Sequence, residues 1–125
     1  MNGFAKQDHL DAFYIAQTVQ LARFAPFVDE VPIAAIVTWR NKVIAHAFNL
    51  KEHLQQPSFH AELLAINEAA RYLGTWRLNE ATLYTSLEPC PMCAGAILQA
   101  RIKRVVYAAK DLKSVSYTHL RAHET

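Results

Sequence analysis

Two cysteines are all that the 125 residues hold, and they stand three positions apart, at Cys90 and Cys93. So close a pair makes a poor disulfide framework but a good pair of metal ligands or redox thiols in a reducing compartment. No run of apolar residues approaches the roughly 18 that a helical membrane span requires, so no membrane partner is expected. The opening stretch, Met1 to Lys6, has no apolar run behind a basic cluster, and the sequence therefore reads as cytoplasmic. An excess of one charge is missing too. Thirteen Lys plus Arg stand against eleven Asp plus Glu, a formal charge of +2, which leaves any nucleic-acid footprint to local clusters such as Arg101, Lys103 and Arg104. There is no internal repeat and no low-complexity tract.

Against those absences, 52% of the residues are hydrophobic, enough for one sizeable core in a single domain. Apolar residues at Leu10, Phe13, Tyr14, Ala16, Val19, Leu21 and Phe24 predict an amphipathic helix over 7–24, stopped at Pro26. Pro32 to Thr38 and Lys42 to Phe48 read as strands of an antiparallel hairpin turning at Arg40 and Asn41. An irregular loop is expected over 49–59. A helix follows over 60–73, apolar nearly all round and therefore largely buried, with Gly74 as its C-cap. Ala81 to Ser86 reads as a strand, Pro91 to Ala100 as a helix and Arg104 to Ala109 as a last strand. This alternation places the chain in the α/β class, with helices covering a central sheet and the last strands parallel through a crossover helix. Residues 1–113 are read as the domain. Ser114 to Thr125 lacks a periodic apolar face and is read as an atypical, non-native tail.

The chemistry concentrates in His60, Ala61 and Glu62 and, thirty residues after His60, in Pro89, Cys90, Pro91, Met92 and Cys93. One imidazole and two thiolates supply three ligands of a tetrahedral zinc ion and leave the fourth position to water, the arrangement of a catalytic rather than a structural site. Both halves fall at helix starts, where free amides and the positive end of the dipole favour thiolates. Glu62 lies two positions from His60, about 200° round a regular helix, so it belongs beside the ion rather than on it. There it can take a proton from water and return it to a substrate. Taken alone, the cysteine pair also allows a redox motif, while His60 reads more often as an ordinary helix-end histidine and Glu62 as a first-turn carboxylate. Their joint spacing favours the metal site. A purely structural zinc module is a different class of reading, disfavoured because such a site has no use for an unliganded carboxylate.

The pattern H-x-E followed by P-C-x-x-C is that of zinc nucleobase deaminases. With EVPIAAIV at Glu30 to Val37, HAFN ending at Asn49, TWRL at Thr75 to Leu78 and SLEPCPMCAGAI at Ser86 to Ile97, the sequence resembles the bacterial tRNA-specific adenosine deaminases. That resemblance implies a three-layer α/β/α cytidine-deaminase-like fold with a central mixed sheet, one Zn2+ per chain and a homodimer. It implies hydrolysis of adenosine to inosine at the wobble position of a tRNA anticodon arm. It also implies that Asn49 hydrogen-bonds the flipped base, that Pro32 and Ile33 line the base site, and that Ala61, Glu88 and Pro89 shape the pocket. A free-nucleobase deaminase, such as a guanine or cytosine deaminase, is the alternative, since YTSLEPCPMC and VVYAA suit it equally; TWRL and EVPIAAIV favour the tRNA reading.

Overall fold

The computed structural model describes residues 3–110, with side chains from Lys6 onward. The domain boundary expected at residue 113 and the atypical tail from Ser114 to Thr125 lie outside the described residues.

Strands β1 (Ala34–Trp39) and β2 (Lys42–Phe48) form the expected hairpin. Arg40 and Asn41 connect them with φ of 51° and 60°. Two successive left-handed residues give a turn whose twist matches that of the strands; Asn tolerates this conformation and Arg merely accepts it. Pairing runs Val37 to Ala45 and then Thr38 to Val43, which leaves Ile44 as an extra residue. This bulge puts the consecutive residues Ile44 and Ala45 into one core. β1 also pairs antiparallel with β3 (Ala81–Leu87), and β3 pairs parallel with β4 (Arg104–Ala109), giving the order β2-β1-β3-β4. The sheet is mixed, as expected.

Alternation along the strands builds the layers. Ala35, Val37, Leu83 and Val105 pack with α3 (Ala61–Leu73) and α4 (Pro91–Gln99), burying Ala65, Ile66, Ala69, Ala94 and Ile97. Ile36, Tyr84 and Val106 face the other way, onto Tyr14 of α1 (Gly3–Ala22). Alanines at 61, 65 and 69 on the inner face of α3 let that helix lie close to the sheet. No helix among the described residues is long and apolar enough to cross a membrane.

Three local expectations are corrected. The first helix ends at Ala22, short of the expected residue 24; Phe13 within it and Phe24 beyond it are exposed, while Asp11 and Thr18 of α1 are buried. Polar groups survive there because each finds a partner. The Thr18 hydroxyl donates to the Tyr14 carbonyl at 2.7 Å, and Asp11 accepts from Tyr84 Oη at 2.6 Å and Arg104 Nη1 at 2.9 Å. Helix α3 is not apolar all round: Asn67, Glu68, Arg71 and Tyr72 are exposed, so it is amphipathic. Within the segment expected to be irregular lies a one-turn helix, α2 (Lys51–Leu54), capped from a distance by buried Glu30. Glu30 accepts the amides of Glu52 at 3.2 Å and His53 at 2.7 Å, and its Oε2 lies 2.6 Å from His53 Nδ1.

Candidate active site

His60 is the N-cap of α3 and Cys90 the N-cap of α4, both in extended backbone, and neither side chain bonds back to its own helix. Pro91 suits the first position of α4, where its missing amide hydrogen is not needed. Cys93, one turn along, is completely buried. His60 Nδ1 stands 3.6 Å from Cys90 Sγ and 3.5 Å from Cys93 Sγ, and the three donor atoms lie within 4.8 Å of one another. Metal bonds of about 2.0–2.1 Å to nitrogen and about 2.3 Å to sulfur at a tetrahedral angle separate the two donors by about 3.6 Å. The spacing therefore fits a tetrahedral metal ion, and these residues could hold one.

Glu62 is not part of that donor group but is buried beside it. Its Oε1 has no hydrogen-bond partner among the described residues, an uncommon state for a buried carboxylate atom. Burial raises its pKa, against the opposing pull of its own amide and of Cys93. Burial, followed by the nearby Glu62 and Cys90, pushes the Cys93 thiol up as well. Burial, and then the charge of Lys51, holds His60 below its ordinary value and so in the neutral form that ligates metals. The two sulfurs and the carboxylate lie close together, and a divalent cation held there would favour their ionised forms.

Asn49 follows β2 directly and is buried. Its amide donates to the Ile33 carbonyl at 3.2 Å, and its Oδ1 accepts from Ala61 N–H at 2.7 Å. Ile33, Asn49 and the first turn of α3 are thereby fastened together next to His60. With Oδ1 engaged, Nδ2 is the end of Asn49 left to donate to a ligand. Ala61 is fully buried, Ile33 half-buried and Pro32 exposed. Glu88 and Pro89, both buried, lead directly into Cys90, and the Glu88 amide donates to the Ala109 carbonyl at 2.8 Å.

The basic cluster does not stand as one surface. Arg104 turns inward to Asp11, whereas Arg101 donates to the Leu98 carbonyl at 3.2 Å and lies over Trp76, 5.7 Å from the ring centre. Arg77 covers the same ring at 4.7 Å. A groove of about 750 Å³ runs between β2 and α3, lined by Ile44, Phe48, Phe59, Leu63 and Asn67, but none of the three donor residues lines it. The carboxylate of Glu30 fixes α2 and with it Lys51, a role with no local signal because more than twenty positions separate Glu30 from α2.

Residues 7–124 match the family model of MafB19-like deaminases. The chain is 48% identical over 103 residues to the tRNA-specific adenosine deaminase of Bacillus subtilis (strain 168), covering 82% of this chain and 64% of that protein. It thus spans under two thirds of that relative's length. Among solved structures it is similar to one from a study of A-to-I editing by tRNA:A34 deaminases at the wobble position, with a TM-score of 0.80 and 40% identity over 86% of this chain and 83% of that one. It is also similar to a guanine deaminase from Bacillus subtilis, with a TM-score of 0.76 and 36% identity over 88% of this chain and 66% of that one. Because that family model covers most of the sequence, the chain belongs to the MafB19-like deaminase family.

Proposed function

We propose that this chain is a zinc-dependent hydrolase that converts adenosine to inosine at the wobble position of a tRNA anticodon arm. The observation that carries this reading is the placement of His60 Nδ1 3.6 and 3.5 Å from the two cysteine sulfurs, with the buried, unpaired Oε1 of Glu62 beside them. The similarity to tRNA:A34 deaminases supports the choice of substrate.

One zinc ion per chain, held by His60, Cys90 and Cys93, would lower the pKa of water to about 7. Glu62 accepts one proton of the attacking water and passes it to a ring nitrogen of adenine, then takes the second proton from the new C6 hydroxyl and delivers it to the departing amine. The water oxygen becomes bonded to C6, the C6–N6 bond breaks and ammonia leaves. Because C6 is out of reach in a stacked loop, the base must be flipped out. Asn49 Nδ2 then donates to the extruded base. Pro32 and Ile33 line its site, while Ala61, Glu88 and Pro89 shape the walls. Burial around Glu62 keeps bulk water from competing for the proton. The same reading has the enzyme acting as a homodimer in the cytoplasm.

A second reading, deamination of a free base, is favoured by the similarity to guanine deaminase. Zinc-loaded protein incubated with an anticodon stem-loop, and separately with guanine, cytosine and cytidine, decides between them. Inosine in the stem-loop is expected; ammonia from the free compounds with no inosine in RNA would overturn the tRNA assignment.

A further inference from the structure

The bend between α1 and β1 presents apolar side chains to solvent. Phe27 is 86% exposed, Phe24 60%, Val28 40% and Val31 39%. Single apolar residues on a surface call for no explanation, but four within eight positions form a patch. The backbone holds the patch out. Pro26 opens the 3-10 turn Ala25–Val28 with a locked φ, and Asp29 closes it at φ 60°, its amide bonded to the Pro26 carbonyl at 3.1 Å. Fully buried Ala25 anchors one end and Glu30, bonded to α2, anchors the other. Phe27 therefore has no easy route to fold back against the core.

The segment leads into the end of the sheet that carries the donor residues, where Ala34 pairs with Phe48 and its amide donates to Ser86 Oγ at 3.0 Å. Pro32 and Ile33 follow Val31 directly, Ile33 is bonded to Asn49, and Asn49 is bonded to Ala61 beside His60. Exposed Arg23 and half-buried Lys51 bring positive charge to these segments, alongside exposed Asp29 and Glu52. When one nucleotide of a loop is flipped out, its neighbour loses a stacking partner and exposes a π-face that an aromatic side chain can cover. We propose that Phe27, backed by Phe24, is the stacking step for the nucleotide adjoining the flipped adenosine, and so helps the site select a structured RNA loop. This inference rests on the proposed tRNA reading.

The test uses full-length Phe27→Ala, Phe27→Leu and Phe27→Trp with a fluorescein-labelled anticodon stem-loop. Phe27→Ala and Phe27→Leu should weaken binding about tenfold, the scale of one base–aromatic stack, and raise KM more than they lower kcat. The slope of affinity against salt should stay the same, since no phosphate contact is lost. Phe27→Trp should restore affinity, and its added indole fluorescence should be quenched by RNA. An unchanged melting temperature checks the fold. Affinity within twofold of wild type in both Phe27→Ala and Phe27→Leu would overturn the proposal, as would weakened binding that coincides with a halved mass in solution, which would assign the patch to a second copy. Wild-type protein that binds the loop but forms no inosine would refute the activity while leaving the stacking contact standing on affinity and quenching.

Discussion

Replacing Asp11 by Asn tests how α1 is held to the far strand of the sheet. Asp11 accepts hydrogen bonds from Arg104 through both guanidinium nitrogens, from Tyr84 and from Gln7 at 3.0 Å. The side chains of Asp11 and Arg104 are only 10% and 22% exposed. Removing one partner of a buried ion pair costs about 3–5 kcal/mol, and the partial exposure of Arg104 lowers that to about 2–3 kcal/mol. Against a total stability of roughly 5–15 kcal/mol, the change should lower Tm by on the order of 10 °C. Urea denaturation followed by circular dichroism should show a lower midpoint with an unchanged slope. Acid supplies a second signature. Burial alone would raise the Asp11 pKa, but the bonds from Arg104, Tyr84 and Gln7 outweigh it and hold the value below the ordinary one. The contribution of a lowered carboxylate is complete above its unfolded value, near 4, and is lost as pH falls through the folded value. The stability gap between wild type and Asp11→Asn should therefore be flat from pH 7 to about 5 and close below about pH 4. A gap under 0.5 kcal/mol at pH 7, on the scale of a surface ion pair, or one that does not close in acid, would refute this account.

Four other outcomes are expected. Glu62→Gln should keep stoichiometric zinc by elemental analysis and lose turnover by about 10²- to 10⁴-fold; wild-type turnover would remove Glu62 from the chemistry. Cys90→Ala should lose bound metal and, with it, stability against heat, measured on the same samples. Asn49→Ala should cost about 1–2 kcal/mol in denaturation because the buried Ala61 amide loses its acceptor, and it should raise KM for the stem-loop. Gly74→Ala should cost about 1 kcal/mol through strain alone, since φ is 71° and no atom lies within 4 Å of an added Cβ; deamination should be unaffected.

Much of the layered fold was readable because short-range chemistry marked it. The β2 and β4 boundaries coincide with apolar runs, the hairpin turns at Arg40–Asn41, and Gly74 and Pro91 punctuate the helices where their φ preferences require. His60, Glu62, Cys90 and Cys93 stood out because metal chemistry demands rare residue types at tight spacing, and the fold brings them together. What escaped was decided by partners remote in sequence. Asp11 is buried only because Tyr84 and Arg104 reach it, which no helical periodicity can encode, and that same contact removes Arg104 from the basic cluster. Nothing local to Glu30 marks the amides of α2 as the partners of its carboxylate. Phe13 counted towards an apolar stripe that the packing of Tyr14 against Tyr84, with ring centres 5.3 Å apart, placed elsewhere on the helix, and Phe24 falls beyond the helix end at Ala22.

His60 and Cys90 begin two neighbouring helices whose far ends, at Leu73 and Gln99, carry no part of the donor group. At 1.5 Å per residue, the 13 residues of α3 put about 20 Å between its reactive start and its finish. The molecule thus has a working pole and a permissive pole. Gly74, at the permissive one, has open space around it and is the place to attach a reporter or a tether without disturbing the geometry of reaction.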